Sequence, residues 1–169
     1  RILPVVTTPA HGTDQTPRSN VAPWATVSAS NEPTPTQYWI KALNDELVRP
    51  NPLPPDMWGS WTASRPAQEW IQYDWTTPVR VDRARIQFWR DTAPGTGDGV
   101  ADPAAWRLQY WDAGEWKDVR EPSGYPTSTR EMHEVTFEAV TTSRRRAVLD
   151  AAPGPAGRYS AVAVEEWEV

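Results

Sequence analysis

The sequence predicts an all-β protein, a β-sandwich of jelly-roll type, and three observations carry that expectation. From Asn20 onward, short runs of alternating apolar and polar residues are separated by clusters of Gly, Pro, Asp and Asn. Eight such runs occur, enough for two packed sheets. Only Tyr38 to Leu47 reads as helical, and it is too short and too weakly amphipathic to be a bundle element.

The elements follow in order. Residues 1–19, rich in Thr and Pro with one apolar run at Ile2 to Val6, read as a linker or the end of a preceding domain, leaving 20–169 as the sandwich. The first strand is the small-residue run Ala25 to Ser30. In Glu69 to Trp75, period-two phasing sets Ile71, Tyr73 and Trp75 on one face. In Arg83 to Arg90 it sends Ala84, Ile86 and Phe88 to the core and Arg83, Arg85, Gln87 and Trp89 outward. Trp106, Leu108 and Tyr110 share the inner face of Trp106 to Trp111, and Glu115 to Val119 is the next run. In Met132 to Phe137, His133 alternates with Val135 and Phe137 and reads as a partly buried strand residue rather than a general base. Arg144 to Leu149 opens with three arginines, which read as a strand edge whose charges block unwanted pairing, the alternative being a phosphate or sulfate site. Ser160 to Val169 closes the chain. Three long loops remain, at Asn31 to Thr36, Val48 to Ser64 and Asp91 to Ala105.

A chain of 169 residues is the length of one ordinary domain, and composition excludes several functions. A net charge of -5 argues against a nucleic-acid surface, and no stretch approaches the roughly 20 apolar residues that span a bilayer. With no cysteine and two histidines, a disulfide scaffold and a thiolate or polyhistidine metal site are excluded. No Gly-rich phosphate loop, HExxH or Gly-x-Ser-x-Gly motif is present, and an Asp/Glu pair chosen among 22 acids carries little information, so the domain is expected to be non-catalytic.

Eleven tryptophans exceed what one core usually takes, since a buried indole needs a partner for its N–H. Those in or beside strands, Trp61, Trp70, Trp75, Trp106, Trp111, Trp116 and Trp167, are assigned to packing. Sugars offer apolar C–H faces to flat rings and hydroxyls to forked polar groups, so the ligand candidates are Trp39 and Tyr38 near the first loop, Trp58 in the second, and Trp89 with Arg90 and Asp91 beside the third. Trp89 is the foremost, because its phase opposes that of Ile86 and Phe88. Each of these rings has an alternative role in covering the sandwich or meeting a neighbouring domain.

On the last strand, the phase of Val162 and Val164 turns Glu166 inward, where an unpaired carboxylate needs a cation or a proton. A bulge there would instead turn Trp167 and Val169 inward and Glu166 out.

Asn20-Val-Ala, the strand ending at Ser30, Ala42-Leu-Asn-Asp45, Trp58-Gly-Ser-Trp61, Glu69 to Trp75, the strand from Val81 and the closing Val164-Glu-Glu-Trp-Glu-Val together resemble the discoidin, or coagulation factor V/VIII type C, galactose-binding-like domain. Trp106 to Trp116 resembles versions appended to secreted actinobacterial glycoside hydrolases, including the β-L-arabinofuranosidase type. The resemblance spans Asn20 to the end. It implies a carbohydrate-binding module linked to a catalytic domain and secreted with it, or else an accessory sandwich that packs on that domain. It further implies a structural Ca²⁺ held by the side chains of Asp45 and Glu166, with backbone carbonyls near Ala42 and Leu47. Where the family usually has Asp-Gly, this chain has Asp45-Glu46.

Overall fold

A computed structural model describes residues 19–50, 55–91 and 99–169. The segment 1–18, and with it most of the expected linker, lies outside the described residues, as do 51–54 and 92–98 in the second and third long loops. Among the described residues seven strands are formed: β1 (Thr26–Ala29), β2 (Trp58–Gly59), β3 (Gln68–Trp89), β4 (Ala105–Asp112), β5 (Glu115–Asp118), β6 (Met132–Asp150) and β7 (Ala163–Glu168). The helical-looking segment is only a 3₁₀ turn, Ile40–Asn44, and similar turns occupy Ala22–Trp24 and Pro155–Gly157.

Two pairs of runs that read as separate strands prove continuous. Glu69 to Trp75 and Arg83 to Arg90 belong to β3, and Met132 to Phe137 and Arg144 to Leu149 belong to β6. These two strands pair antiparallel along their length, with register shifts between Asp74 and Val79 and between Val81 and Arg83. Bulges bend a strand and raise its twist, and Pro78 withholds an amide at the same place. The long hairpin thus folds over and serves both layers. In one layer β1, the first half of β3, the second half of β6, β4 and β5 lie side by side; in the other, β2, β7, the second half of β3 and the first half of β6.

The core lies between the layers, where the phasing placed it. Ile71, Tyr73, Trp75, Ala84, Ile86, Phe88, Trp106 and Leu108 are all buried, and Tyr110 is half-buried against them. Rings bridge the layers: Tyr73 stacks on Trp167 at 4.2 Å, and Phe88 meets Trp106 edge-on at 5.6 Å. The Tyr73 hydroxyl contacts the carbonyls of Leu43 (2.8 Å) and Trp167 (2.7 Å), tying the 3₁₀ turn to the last strand. His133 is buried, with Nε2 2.7 Å from the Ser128 carbonyl.

Three expectations are corrected. Trp58 is fully buried in the main core, because β2 pairs it with Val164 and Asn31 Oδ1 accepts its indole N–H at 3.1 Å. Trp61, assigned to packing, lies past the end of β2 and is 46% exposed. The triple arginine is not on an edge: β6 pairs with β3 through all three residues and with β4 through Arg145 and Arg146.

Candidate functional site

The long loops and the start of β7 build one edge of the sandwich. There the segment before the 3₁₀ turn runs beside the segment around β2: Trp39 N–H donates to the Met57 carbonyl (3.1 Å) and Gln37 Nε2 to the Trp61 carbonyl (3.1 Å). Alternation along the first segment turns Tyr38 inward and leaves Trp39 47% exposed. Tyr38 lies directly over Gly59, where a Cβ would come within 2.6 Å of its ring, so glycine at 59 is what admits the tyrosine. Burial, and then the charge of Asp91, push the Tyr38 phenol up to about 12. It therefore acts as a neutral packing group.

Tyr38, Met57, Val100, Ala161 and Ala163 form a small second core on the outer face of the β7 layer, and Trp89 packs against it half-buried. Trp89 does face outward, as its phase requires, but the loops reach over it. Asp91 is engaged within its own loop, where Oδ2 accepts the Val100 N–H at 2.8 Å. Gly99 is needed there, because a Cβ would fall 1.8 Å from that oxygen. Arg90 lies 3.6 Å from Asp102. The structure thus brings Tyr38, Trp89 and Asp91 together as the support beneath the edge, with Arg90 beside them. Trp58 leaves the group for the core. Trp39 stays at the surface, joined by Trp61 and Gln37, which the sequence reading missed. The signal for Trp61 was its position beyond the Trp58-Gly59 pair, too far along for a two-residue strand to bury it.

The second feature begins where the 3₁₀ turn ends. Glu166 is fully buried and neither carboxylate oxygen has a hydrogen-bond partner. The bulge foreseen on β7 is present, since the register slips between Gln87 paired with Glu166 and Phe88 paired with Val164, and Trp167 accordingly turns into the core. Glu166 is nevertheless kept from solvent, in contact with the turn that precedes Leu47. Burial above all, then the charges of Asp45 and Glu168, push its carboxyl up to about 9. Asp45 Oδ1 accepts the Leu47 N–H (3.0 Å), and Arg49 approaches its Oδ2 at 3.5 Å. Ala42 is buried inside the turn, Leu47 is exposed just past it, and Glu168 pairs with Arg85 at 2.8 Å. Glu46 takes φ of +61°, a backbone conformation that favours glycine, so the turn is made here by glutamate.

This donor set suits a hard, oxygen-seeking cation. The two orphaned oxygens of Glu166 lie beside the Asp45 carboxyl, which has Arg49 on its other side. Among the described residues no group of three or more His, Cys, Asp or Glu is placed to hold a metal, so carbonyls or water would have to complete the shell.

No family model matches the chain. Solved structures with the same fold include parts of carbohydrate-active proteins. One from the Streptococcus pneumoniae β-galactosidase BgaA has a TM-score of 0.67 at 17% identity, over 85% of this chain and 90% of that one. The family 32 carbohydrate-binding module of Streptococcus pneumoniae EndoD gives 0.62 at 20% identity, over 89% and 97%. Chitosan-binding module 1 of a chitosanase/glucanase from Paenibacillus sp. IK-5 gives 0.59 at 18%, over 89% and 98%. The chain has the fold of these modules, the jelly-roll sandwich that the resemblance to discoidin domains implies.

Proposed function

We propose that this domain is a non-catalytic carbohydrate-binding module that tethers a secreted glycoside hydrolase to polysaccharide. The observation that carries the reading is the pair of exposed rings, Trp39 and Trp61, on adjoining segments of one edge, with the polar side chain of Gln37 bridging those segments. Exposed indoles give the apolar faces of a sugar a surface to stack on, and amides and hydroxyls meet its rim. The modules of like fold, one from EndoD and one that binds chitosan, support this use of the sandwich. Tethering works through effective concentration: weak binding at the edge holds a linked active site near its polymer.

A structural Ca²⁺ is part of the proposal. Asp45 and Glu166 would hold it, with carbonyls near Ala42 and Leu47, and it would supply the positive charge that the buried carboxylate lacks. The 3₁₀ turn Ile40–Asn44 runs from Trp39 to Asp45. Fastening Asp45 to β7 therefore fixes the turn that presents Trp39.

Titration of the domain against a panel of arabinose- and galactose-containing glycans and chitosan, by calorimetry, tests the binding role. Saturable binding to at least one glycan, lost in Trp39→Ala and Trp61→Ala, is expected; no binding to any of them would overturn it. A second reading, an accessory domain that packs on its catalytic neighbour, draws on a separate exposed apolar set. Trp24 (74% exposed), and Leu47 and Val48, follow two segments that are joined where Asn44 Nδ2 donates to the Ala22 carbonyl at 2.7 Å. Failure of all glycans, together with lost activity when the domain is deleted from its parent enzyme, would favour it.

A further inference from the structure

The outer face of the five-stranded layer carries a group of side chains that the loop edge does not use. With β6 paired on both sides, its three arginines have no edge to protect, and alternation sends Arg145 into the core and Arg144 and Arg146 outward. Arg107 on β4 joins them, since its neighbour on the same face, Gln109, is the cross-strand partner of Arg146.

Each of the three guanidiniums approaches its partner through Nε. Arg144 Nε lies 3.0 Å from Asp74 Oδ1, Arg146 Nε donates to Gln109 Oε1 at 2.7 Å, and Arg107 Nε lies 3.6 Å from Asp118 Oδ1. Two are also stacked: Arg146 sits 4.4 Å above the ring of Trp116 and Arg144 5.6 Å from that of Trp111, the indoles themselves meeting edge-on at 5.3 Å. With Nε turned to its partner in each case, the Nη1 and Nη2 edge faces away from that partner, and two of the guanidiniums lie over indole rings. Ordering such a side chain costs binding free energy, and the Nε contacts and rings lower that cost here. Arg144 and Arg146, two residues apart on one strand, stand about 7 Å apart along it, and Arg107 continues the row one strand over.

We propose that this sheet face is a second binding site, for a polysaccharide bearing carboxylates on successive sugars, each carboxylate taken by the Nη fork of one arginine. Two parallel N–H to oxygen bonds are the geometry a guanidinium makes best with a carboxylate. The charge pattern selects the occupant. In a chain of net charge -5 this face is locally cationic, yet Asp74 and Asp118 interrupt it. A nucleic-acid backbone, with its dense phosphates, would meet those acids, whereas spaced carboxylates meet only the forks. The site stands independently of the loop edge and of the proposal made for it.

Affinity electrophoresis through gels containing polygalacturonate, its fully methyl-esterified form or dextran sulfate tests this. Retardation by polygalacturonate alone is expected, with affinity falling about tenfold in an Arg144→Gln, Arg146→Gln double variant and unchanged in Trp39→Ala. The Arg144→Lys, Arg146→Lys variant keeps the charge and loses the fork, and it too should lose most of the affinity. Circular dichroism melts establish that each variant is folded, and Arg107→Gln gives an independent variant away from β6. Equal retardation by the esterified polymer or by dextran sulfate, undiminished binding by the lysine variant, or no retardation of the folded wild type would each overturn the proposal.

Discussion

Replacing Glu166 by glutamine tests the buried carboxylate most directly, because glutamine keeps the shape and removes the charge. Without a cation, the folded domain must hold a proton on Glu166 up to about pH 9, whereas the unfolded chain releases it near the ordinary value of 4.5. A folded-state pKa raised in this way gives stability that is complete below 4.5 and is lost as pH rises towards 9, at about 1.4 kcal/mol per unit. Near pH 7.5 the ceiling on that loss is about 4 kcal/mol, and relaxation around the charge would reduce it to about 2. In chelator at that pH, Glu166→Gln should therefore be more stable than wild type by about 2–4 kcal/mol, or about 5–15 °C in Tm for a domain of this size.

At the proposed Ca²⁺ site the order should reverse when the ion is added, because it would replace the proton and stabilise only the state that binds it. Wild type should rise in Tm with Ca²⁺, and more so at pH 8 than at pH 5; Glu166→Gln should respond weakly at both. Scanning fluorimetry over a pH series, with EDTA and with Ca²⁺, reads all four conditions. A variant less stable than wild type in EDTA at pH 7.5, or one that gains as much from Ca²⁺, would refute the reasoning.

Two further substitutions test the placement of other residues. Trp39→Ala and Trp58→Ala should separate cleanly in urea denaturation, with the first within about 0.5 kcal/mol of wild type and the second destabilised by about 3–5 kcal/mol, because only Trp58 fills the core. Glu46→Gly should stabilise the cation-free domain by about 1 kcal/mol in the same assay, since glutamate at φ +61° is in a region that suits glycine.

What the sequence disclosed follows the reach of its periodicity. Phasing identified the inner faces of β3 and β4 because a strand residue's face depends only on its neighbours two positions away. It failed where burial is decided by another part of the chain. Trp89 has the outward phase it was assigned, and becomes half-buried because Tyr38 and Met57 arrive from loops 30 to 50 residues earlier. Trp58 is buried by a two-residue strand that no alternation can reveal. The arginines of β6 looked like an edge because strand order is not written in a strand's own residues; only the pairing with both β3 and β4 shows it as interior. Glu166 was legible as a problem, an acid in an apolar strand, but the bulge that turns Trp167 inward and the turn beside the carboxylate were not both foreseen.

The edge rings, the buried acid and the arginine face differ in what each demands of the fold. The arginine row needs only a regular sheet, because strand spacing and Nε anchors fix it. The edge rings stand on loop segments, so their position depends on what holds those segments. Trp61 is placed by the Ser60 N–H to Val162 carbonyl bond (2.9 Å) next to it, a direct tie to the segment entering β7. Trp39 has its own bond to Met57, and its following turn meets β7 through groups around Tyr73, Asp45 and Glu166. The charge state of Glu166 therefore bears on Trp39 and not on Trp61. Removing Ca²⁺ should weaken glycan binding through the Trp39 half of the edge and leave the arginine face untouched. Measuring both affinities before and after chelation would separate the two, and an equal loss at both would mean that the ion holds the whole sandwich rather than the turn.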